Sequence, residues 1–296
     1  MRFSFHPVMC PVEQYVPLAI AAEEAGFDCF TYPDSLAFPR ESSTTYPYND
    51  DGNREFLDGV PFIEPFVGIP YLAAVTEKIR FSTSVYKLAV RQPVAVAKQL
   101  SSLAVVTDNR FDFGVGISPW PEDFEACQIA WEKRGLRLSE MIQIIQGLMK
   151  GEYFEFQGKI FDIDAMKMCP IPDQPVPILI GGHSEPALKR AAKLGDGWIA
   201  ASCPVDEYKV MIDKIKGYRK EYCRDHLPFA VQAMSKDSFS LEGLDALSNV
   251  GVDEVVIAFS DPYKAEPETQ SLEEKIGMIN WYAENFIQPG KERHVS

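Results

Sequence analysis

Apolar residues in this chain change their spacing repeatedly along its length. Short runs rich in Val, Ile, Phe and Tyr are followed by longer stretches in which apolar positions recur every three or four residues. The first spacing predicts strands and the second predicts helices. "RFSFH" (2–6) reads as a strand, and "VEQYVPLAIAAEEAG" as a helix closed by Gly26. Further strands are predicted at 27–33, 78–85, 110–116, 177–182, 197–201, 229–234 and 254–260. Helical patterns lie at 62–76, 93–107, 137–151, just after Ser184, near 206–223, at 241–251 and at 272–286. Pro65 and Pro70 predict irregularity or a kink in the 62–76 pattern. Pro93 opens the next helix, where a missing N–H costs nothing.

Eight strand–helix units in 296 residues point to an α/β fold, a (β/α)8 TIM barrel forming one domain over 1–296. A doubly wound open sheet shares the same alternation and is the main rival. Two segments break the rhythm. Residues 36–59 are polar and turn-rich and follow strand two, and 152–175, between units four and five, alternate like β-structure around Gly158. Both read as insertions.

Composition narrows the partners. Asp and Glu total 43 against 29 Lys and Arg, a net charge of -14, which disfavours nucleic acid and anionic membrane surfaces. No apolar run approaches the ~20 residues of a membrane span, and the opening "MRFSFHPVMCPVEQY" has no signal-peptide core. The six cysteines form no C-x-x-C pair, and with the four histidines they show no metal-ligand spacing. They read as reduced core thiols of a cytoplasmic protein, with no metal site.

In a barrel, chemistry gathers where strands end. That rule selects His6, Asp34, Ser84 with Val85, Gly116 with Trp120, Gly181 with Gly182, Ala201 with Ser202, Met234 to Lys236, and Ser260. The sequence "PILIGGHSEP" runs from a strand through Gly181, Gly182, His183 and Ser184 into a helix. Bare glycines beside unpaired helix N–H groups suit a phosphate, with Ser184 as cap and donor. The same residues equally suit a tight turn before a capped helix. His6 suits proton transfer or a structural bond in the first loop. Asp34 suits orienting a ligand or capping a turn. Lys236 reads either as a Schiff-base amine or, more simply, as a solvent-facing lysine. No nucleophile elbow, Walker loop or well-placed G-x-G-x-x-G occurs.

Four stretches together resemble the bacterial luciferase-like monooxygenase superfamily: "LAIAAEEAGFDCFTYPD", "TEKIRFSTSVYKLAVRQPVAVAKQLSSLAVVTDNRFDFGVGISPWPEDFEA", "RGLRLSEMIQIIQGLMKGEYFEFQGKIF" and "PVPILIGGHSEPALKRAAKLGDGWIA". The likeness covers most of 1–200 and is strongest to the branch that uses coenzyme F420. It implies a TIM-type barrel, usually a homodimer, passing a hydride between the deazaflavin and a small organic substrate. FMN-dependent monooxygenases share nearly all these motifs. The resemblance places Gly181, Gly182, His183 and Ser184 at the phosphate turn. It places Ser84 and Val85 on a bulge, often with a non-proline cis peptide, that backs the ring. Asp34 falls on an acidic position that meets the ring edge, and His6 is the preferred proton carrier.

The chain also departs from the pattern. Ser35 stands where many F420 enzymes have His, and Pro119 stands near the catalytic Glu of the sugar-phosphate dehydrogenases. Lys87 and Arg91 are candidates to offset an anionic cofactor tail. Phe38, Tyr46, Tyr48 and Trp120 are candidates to cover the ring. Two other readings stand beside this one: a non-redox barrel enzyme using the same phosphate turn, and a flavin-binding protein without turnover.

Overall fold

The computed structural model describes residues 1–8, 10–42, 44–46, 52–261 and 269–289. Strands β1 (Arg2–Phe5), β2 (Cys29–Tyr32) and β3 (Arg80–Thr83) lead to a corner, after which β4 (Tyr86–Lys87) and β5 (Phe111–Gly116) follow. A hairpin of β6 (Phe154–Gln157) and β7 (Asp162–Met166) comes next, then β8 (Ile178–Gly181), β9 (Gly197–Ala200), β10 (Ala230–Met234) and β11 (Glu254–Ile257). Apart from the hairpin every pairing is parallel. The order β3-β2-β1-β11-β10-β9-β8-β5 closes because β5 also pairs with β3, giving an eight-stranded barrel. This excludes the open doubly wound sheet.

Period-two alternation decides what fills the barrel. Phe3, Phe5, Phe30, Phe81, Phe111 and Phe113 join the apolar core with helix residues such as Leu18, Leu100 and Ile142. The intervening positions are polar. Ser4 Oγ and Gln232 Nε2 donate to Glu254, which pairs with Arg2 at 2.7 Å, and Arg80 pairs with Asp112 at 2.6 Å. Paired and hydrogen-bonded, these charges are tolerable under the barrel mouth.

The surrounding helices are α1 (Tyr15–Ala25), α2 (Pro65–Ala73), α3 (Pro93–Val106), α4 (Pro121–Ala126), α5 (Arg134–Leu148), α6 (Glu185–Leu194), α7 (Val205–Glu221), α8 (Leu241–Val250) and α9 (Leu272–Tyr282). Gly26 closes α1 at φ 88°, as its position predicts. Pro65 starts α2, so the irregular 62–76 pattern reduces to a shorter helix containing Pro70. Ser271 and Glu274 form a reciprocal capping box for α9. No helix among the described residues is long and apolar enough to cross a membrane.

Several expected boundaries move. The predicted 78–85 strand stops at Thr83, whose hydroxyl donates to Gly114 O at 2.7 Å across the β3–β5 seam. The last strand ends at Ile257, short of the predicted 260. Helix α4 interrupts the loop after β5 and was not expected. Cys10 and Cys29 are buried, but Cys169 and Cys223 are exposed, so core burial describes only part of the cysteine set.

The hairpin is fastened to the barrel by packing of Phe154, Phe156, Phe161, Ile163 and Met166 on the core and by one carboxylate. Glu140 of α5 accepts from the N–H groups of Lys159, Ile160 and Phe161 at 2.7, 3.0 and 3.0 Å.

Candidate active site

The C-terminal ends of the strands enclose a cavity of about 220 Å³. Its lining brings together His6, Asp34, Ser84, Val85, Gly181 and Gly182. His183 and Ser184 lie beside it, outside the lining. Ser202, Lys236 and Ser260 are exposed and also outside it. An imine-forming lysine at 236 therefore finds no support.

The peptide Ser84–Val85 is cis, at the corner between β3 and β4. Val85 then sits against the ends of β5 and β8. A Cβ on Gly116 would lie 2.6 Å from Val85 Cγ2, and one on Gly181 would lie 2.9 Å from Val85 Cγ1. Gly181 is thus bare because Val85 needs the space. Gly182 is bare for a different reason, its φ of 117°.

The turn is fixed from behind. Trp198 Nε1 donates to Gly182 O at 2.9 Å, and the His183 ring lies 5.8 Å from the Trp198 ring. Burial pulls the His183 pKa down. Ser184 occupies the N-cap of α6, but its hydroxyl makes no capping bond, which corrects the expected cap. Of the helix cations, Arg190 turns to Gly135 O and Ser139 Oγ, and Lys189 pairs with Glu185 at 3.3 Å. Any anion at this turn would meet main-chain N–H groups rather than these side chains.

His6 ends β1 and is buried, and its Nδ1 lies 2.7 Å from Thr31 Oγ1. Thr31 donates its one hydroxyl proton to Phe5 O at 3.3 Å. This arrangement suits a ring proton on Nδ1, which leaves Nε2 as an acceptor. Burial lowers the His6 pKa to about 4, so the ring is neutral near pH 7.

Asp34 has both oxygens engaged by protein. Oδ2 accepts from Lys87 N at 2.7 Å, and Oδ1 pairs with Arg91 Nη2 at 2.8 Å. Arg91 also donates to Lys87 O and lies 3.7 Å over the Tyr86 ring. Asp34 thus holds the segment after the corner. Lys87 lines the cavity but pairs with Asp123 at 2.9 Å, and Ser118 donates to the same carboxylate. Both candidate cations for an anionic tail are already neutralised.

The mouth is aromatic. Trp120 is buried and stacks on Tyr46 with centroids 5.5 Å apart at 26°, while Phe56 meets Tyr46 edge-on. Phe62, Ile117, Ile199, Met234 and Val256 extend the apolar wall. Phe38 is not part of it and instead lies under Arg54. Tyr48 falls outside the described residues. Sequence reasoning did not find Thr31 or Phe62 as site residues. Alternation from Cys29 through Thr31 to Pro33 was the available signal for Thr31.

No group of three or more metal-ligating side chains occurs among the described residues. Apolar walls with a few convergent polar groups fit a flat heteroaromatic ring, and Val85 with the main chain at Gly181–Gly182 fits as its backing.

A closed eight-stranded parallel barrel with a cavity at the strand ends defines the class as a TIM-type barrel. Residues 8–237 match the family model described as luciferase-like monooxygenase, and the chain belongs to that family. An uncharacterized protein of Mycobacterium tuberculosis (strain ATCC 25618 / H37Rv) is 47% identical over 287 residues, covering 97% of this chain and 99% of its own. An F420-dependent glucose-6-phosphate dehydrogenase of Nakamurella multipartita is 30% identical over 206 residues, covering 64% of this chain and 54% of its own. The monooxygenase RslO1 of Streptomyces bottropensis superposes with a TM-score of 0.77 at 15% identity, covering 97% of this chain and 99% of that one, a likeness of fold.

Proposed function

We propose that this protein is an F420-dependent oxidoreductase that moves a hydride between the deazaflavin and a small organic substrate. One observation carries the reading: the Val85 corner and the Gly181–Gly182 turn meet in a single strand-end cavity with aromatic walls. The relative from Nakamurella multipartita supports the choice of F420. The cofactor supplies two-electron hydride chemistry, and the protein supplies position and electrostatics. Val85 backs the ring, main-chain groups at 181–184 hold the phosphate, and Asp34 keeps the corner in place. His6 Nε2 accepts or returns the substrate proton through a ring that is neutral at physiological pH.

FMN is the second reading, favoured by one feature. Lys87 and Arg91 are both committed to carboxylates, which leaves little local compensation for the polyglutamyl tail of F420. Titration of the purified protein with F420 and with FMN, each followed by fluorescence, decides between them. Saturable F420 binding is the expected result. FMN binding without an F420 response would establish the second reading, and failure to bind either would end the redox assignment.

A further inference from the structure

Charge matching around the cavity limits what can enter it. Lys87 reaches the lining from a buried position, with Asp123, also buried, as its ion-pair partner among the described residues. Ser118 donates to that same carboxylate. Asp34 is matched by Arg91. His6 adds no charge, because Nδ1 is bonded to Thr31 and the ring is buried. The charged side chains in the lining, Asp34 and Lys87, thus already have opposite partners. Arg54 is a nearby cation without a carboxylate partner among the described residues. It lies under Phe38 and Trp120, donates to Pro39 O, and is not part of the lining.

We infer that this site selects an uncharged, apolar substrate, an alcohol or a carbonyl compound, whose oxygen is held by the Lys87 ammonium. An ammonium has three N–H donors, and Asp123 takes one. A neutral oxygen accepts another without adding net charge. A phosphate or carboxylate placed on Lys87, rather than on the main-chain N–H groups of the 181–184 turn, would bring an unmatched charge beside a buried ion pair, where desolvation is costly. The substrate's body meets Phe56, Phe62, Trp120, Ile199, Met234 and Val256. The inference rests on the hydride-transfer reading only for what happens to the ligand, since the charge argument concerns binding alone.

Two probes of similar size separate the effects: acetophenone, a neutral aromatic ketone, and benzoate, its anionic counterpart. Binding is measured at pH 7.5 by calorimetry and by quenching of tryptophan fluorescence, with and without F420. Acetophenone is expected to bind at least about ten-fold more tightly than benzoate. Asp123→Asn leaves Lys87 unmatched, so benzoate affinity should rise about ten-fold while acetophenone changes little. Lys87→Met should weaken acetophenone several-fold and leave benzoate excluded, and it serves as the second variant if Asp123→Asn does not fold. Equal binding of the two probes, preference for benzoate, or no binding of acetophenone by the wild-type protein overturns the inference. So does unchanged acetophenone affinity in Lys87→Met. Discrimination between the probes by a protein that ignores F420 would sink the cofactor assignment and leave this inference standing.

Discussion

Val85 occupies the space that a side chain at Gly181 would need: a Cβ there would stand 2.9 Å from Val85 Cγ1. The contact couples the corner after β3 to the end of β8. Gly181→Ala forces the stiff valine side chain to shift and should cost about 1–3 kcal/mol, as overpacking does. Adding Val85→Ala should recover most of that loss. Urea denaturation of the two single variants and the double variant measures the coupling, and additive losses would show that the two residues are independent.

Gly182 answers to a different constraint. Its φ of 117° is unfavourable for any L-residue, and a Cβ would also lie 3.1 Å from Ala187 Cβ. Gly182→Ala should therefore destabilise by about 1–2 kcal/mol without rescue by Val85→Ala. Rescue would mean the two glycines share one cause.

His6 gives a pH signature. Unfolded, it takes a proton near 6.5, and folded, near 4. Between those values the unfolded chain binds more protons. Stability therefore falls as pH drops from 6.5 to 4 and levels off below. The His6 share is at most roughly 3 kcal/mol. In His6→Asn that share of the slope should vanish, which midpoints measured across pH 4–7 would reveal. An unchanged slope would mean that His6 titrates normally.

Asp34 is a structural anchor whatever else it does. Asp34→Ala strands Arg91, whose side chain is 12% exposed, and removes the acceptor for Lys87 N. A loss of roughly 3–5 kcal/mol is expected, with less for Asp34→Asn, which keeps an acceptor. Chemical denaturation tests this, and a near-neutral alanine variant would show that Arg91 finds other partners.

The Tyr46–Trp120 stack ties the insertion after β2 to the loop after β5. Such a stack is worth about 1 kcal/mol beyond its burial. Trp120→Leu should therefore raise proteolytic cleavage within 36–59 about five-fold under native conditions, with the rest of the barrel unaffected. Equal cleavage rates would locate the tether elsewhere.

Local pattern made the barrel legible. Alternating spacing located the eight units, and alternation around Gly158 anticipated the β6–β7 hairpin. The strand-end rule found His6, Asp34, Val85 and the Gly181–Gly182 turn in the cavity lining, because it turns a list of strands into a list of positions. What it missed depends on distant partners. Asp123 meets Lys87 across 36 positions and Arg91 meets Asp34 across 57, and no local spacing encodes either pair. Nor does the motif around Gly181 reveal that its missing side chain serves Val85. The helix after Ser184 was legible, but the absence of a capping bond was not, because both hydroxyl geometries fit the same residue order.

The carboxylate of Glu140 gives the hairpin an unusual freedom. Its donors are main-chain amides of Lys159, Ile160 and Phe161, so the attachment does not read which side chains stand there. Lys159 and Ile160 can drift while the mount holds, whereas the Phe161 ring also packs on the core and under Arg137. Gly158 cannot drift, because a Cβ would fall 2.4 Å from Glu140 Oε2. The polar tip of the hairpin can therefore vary, while its apolar side chains stay answerable to the barrel they rest on.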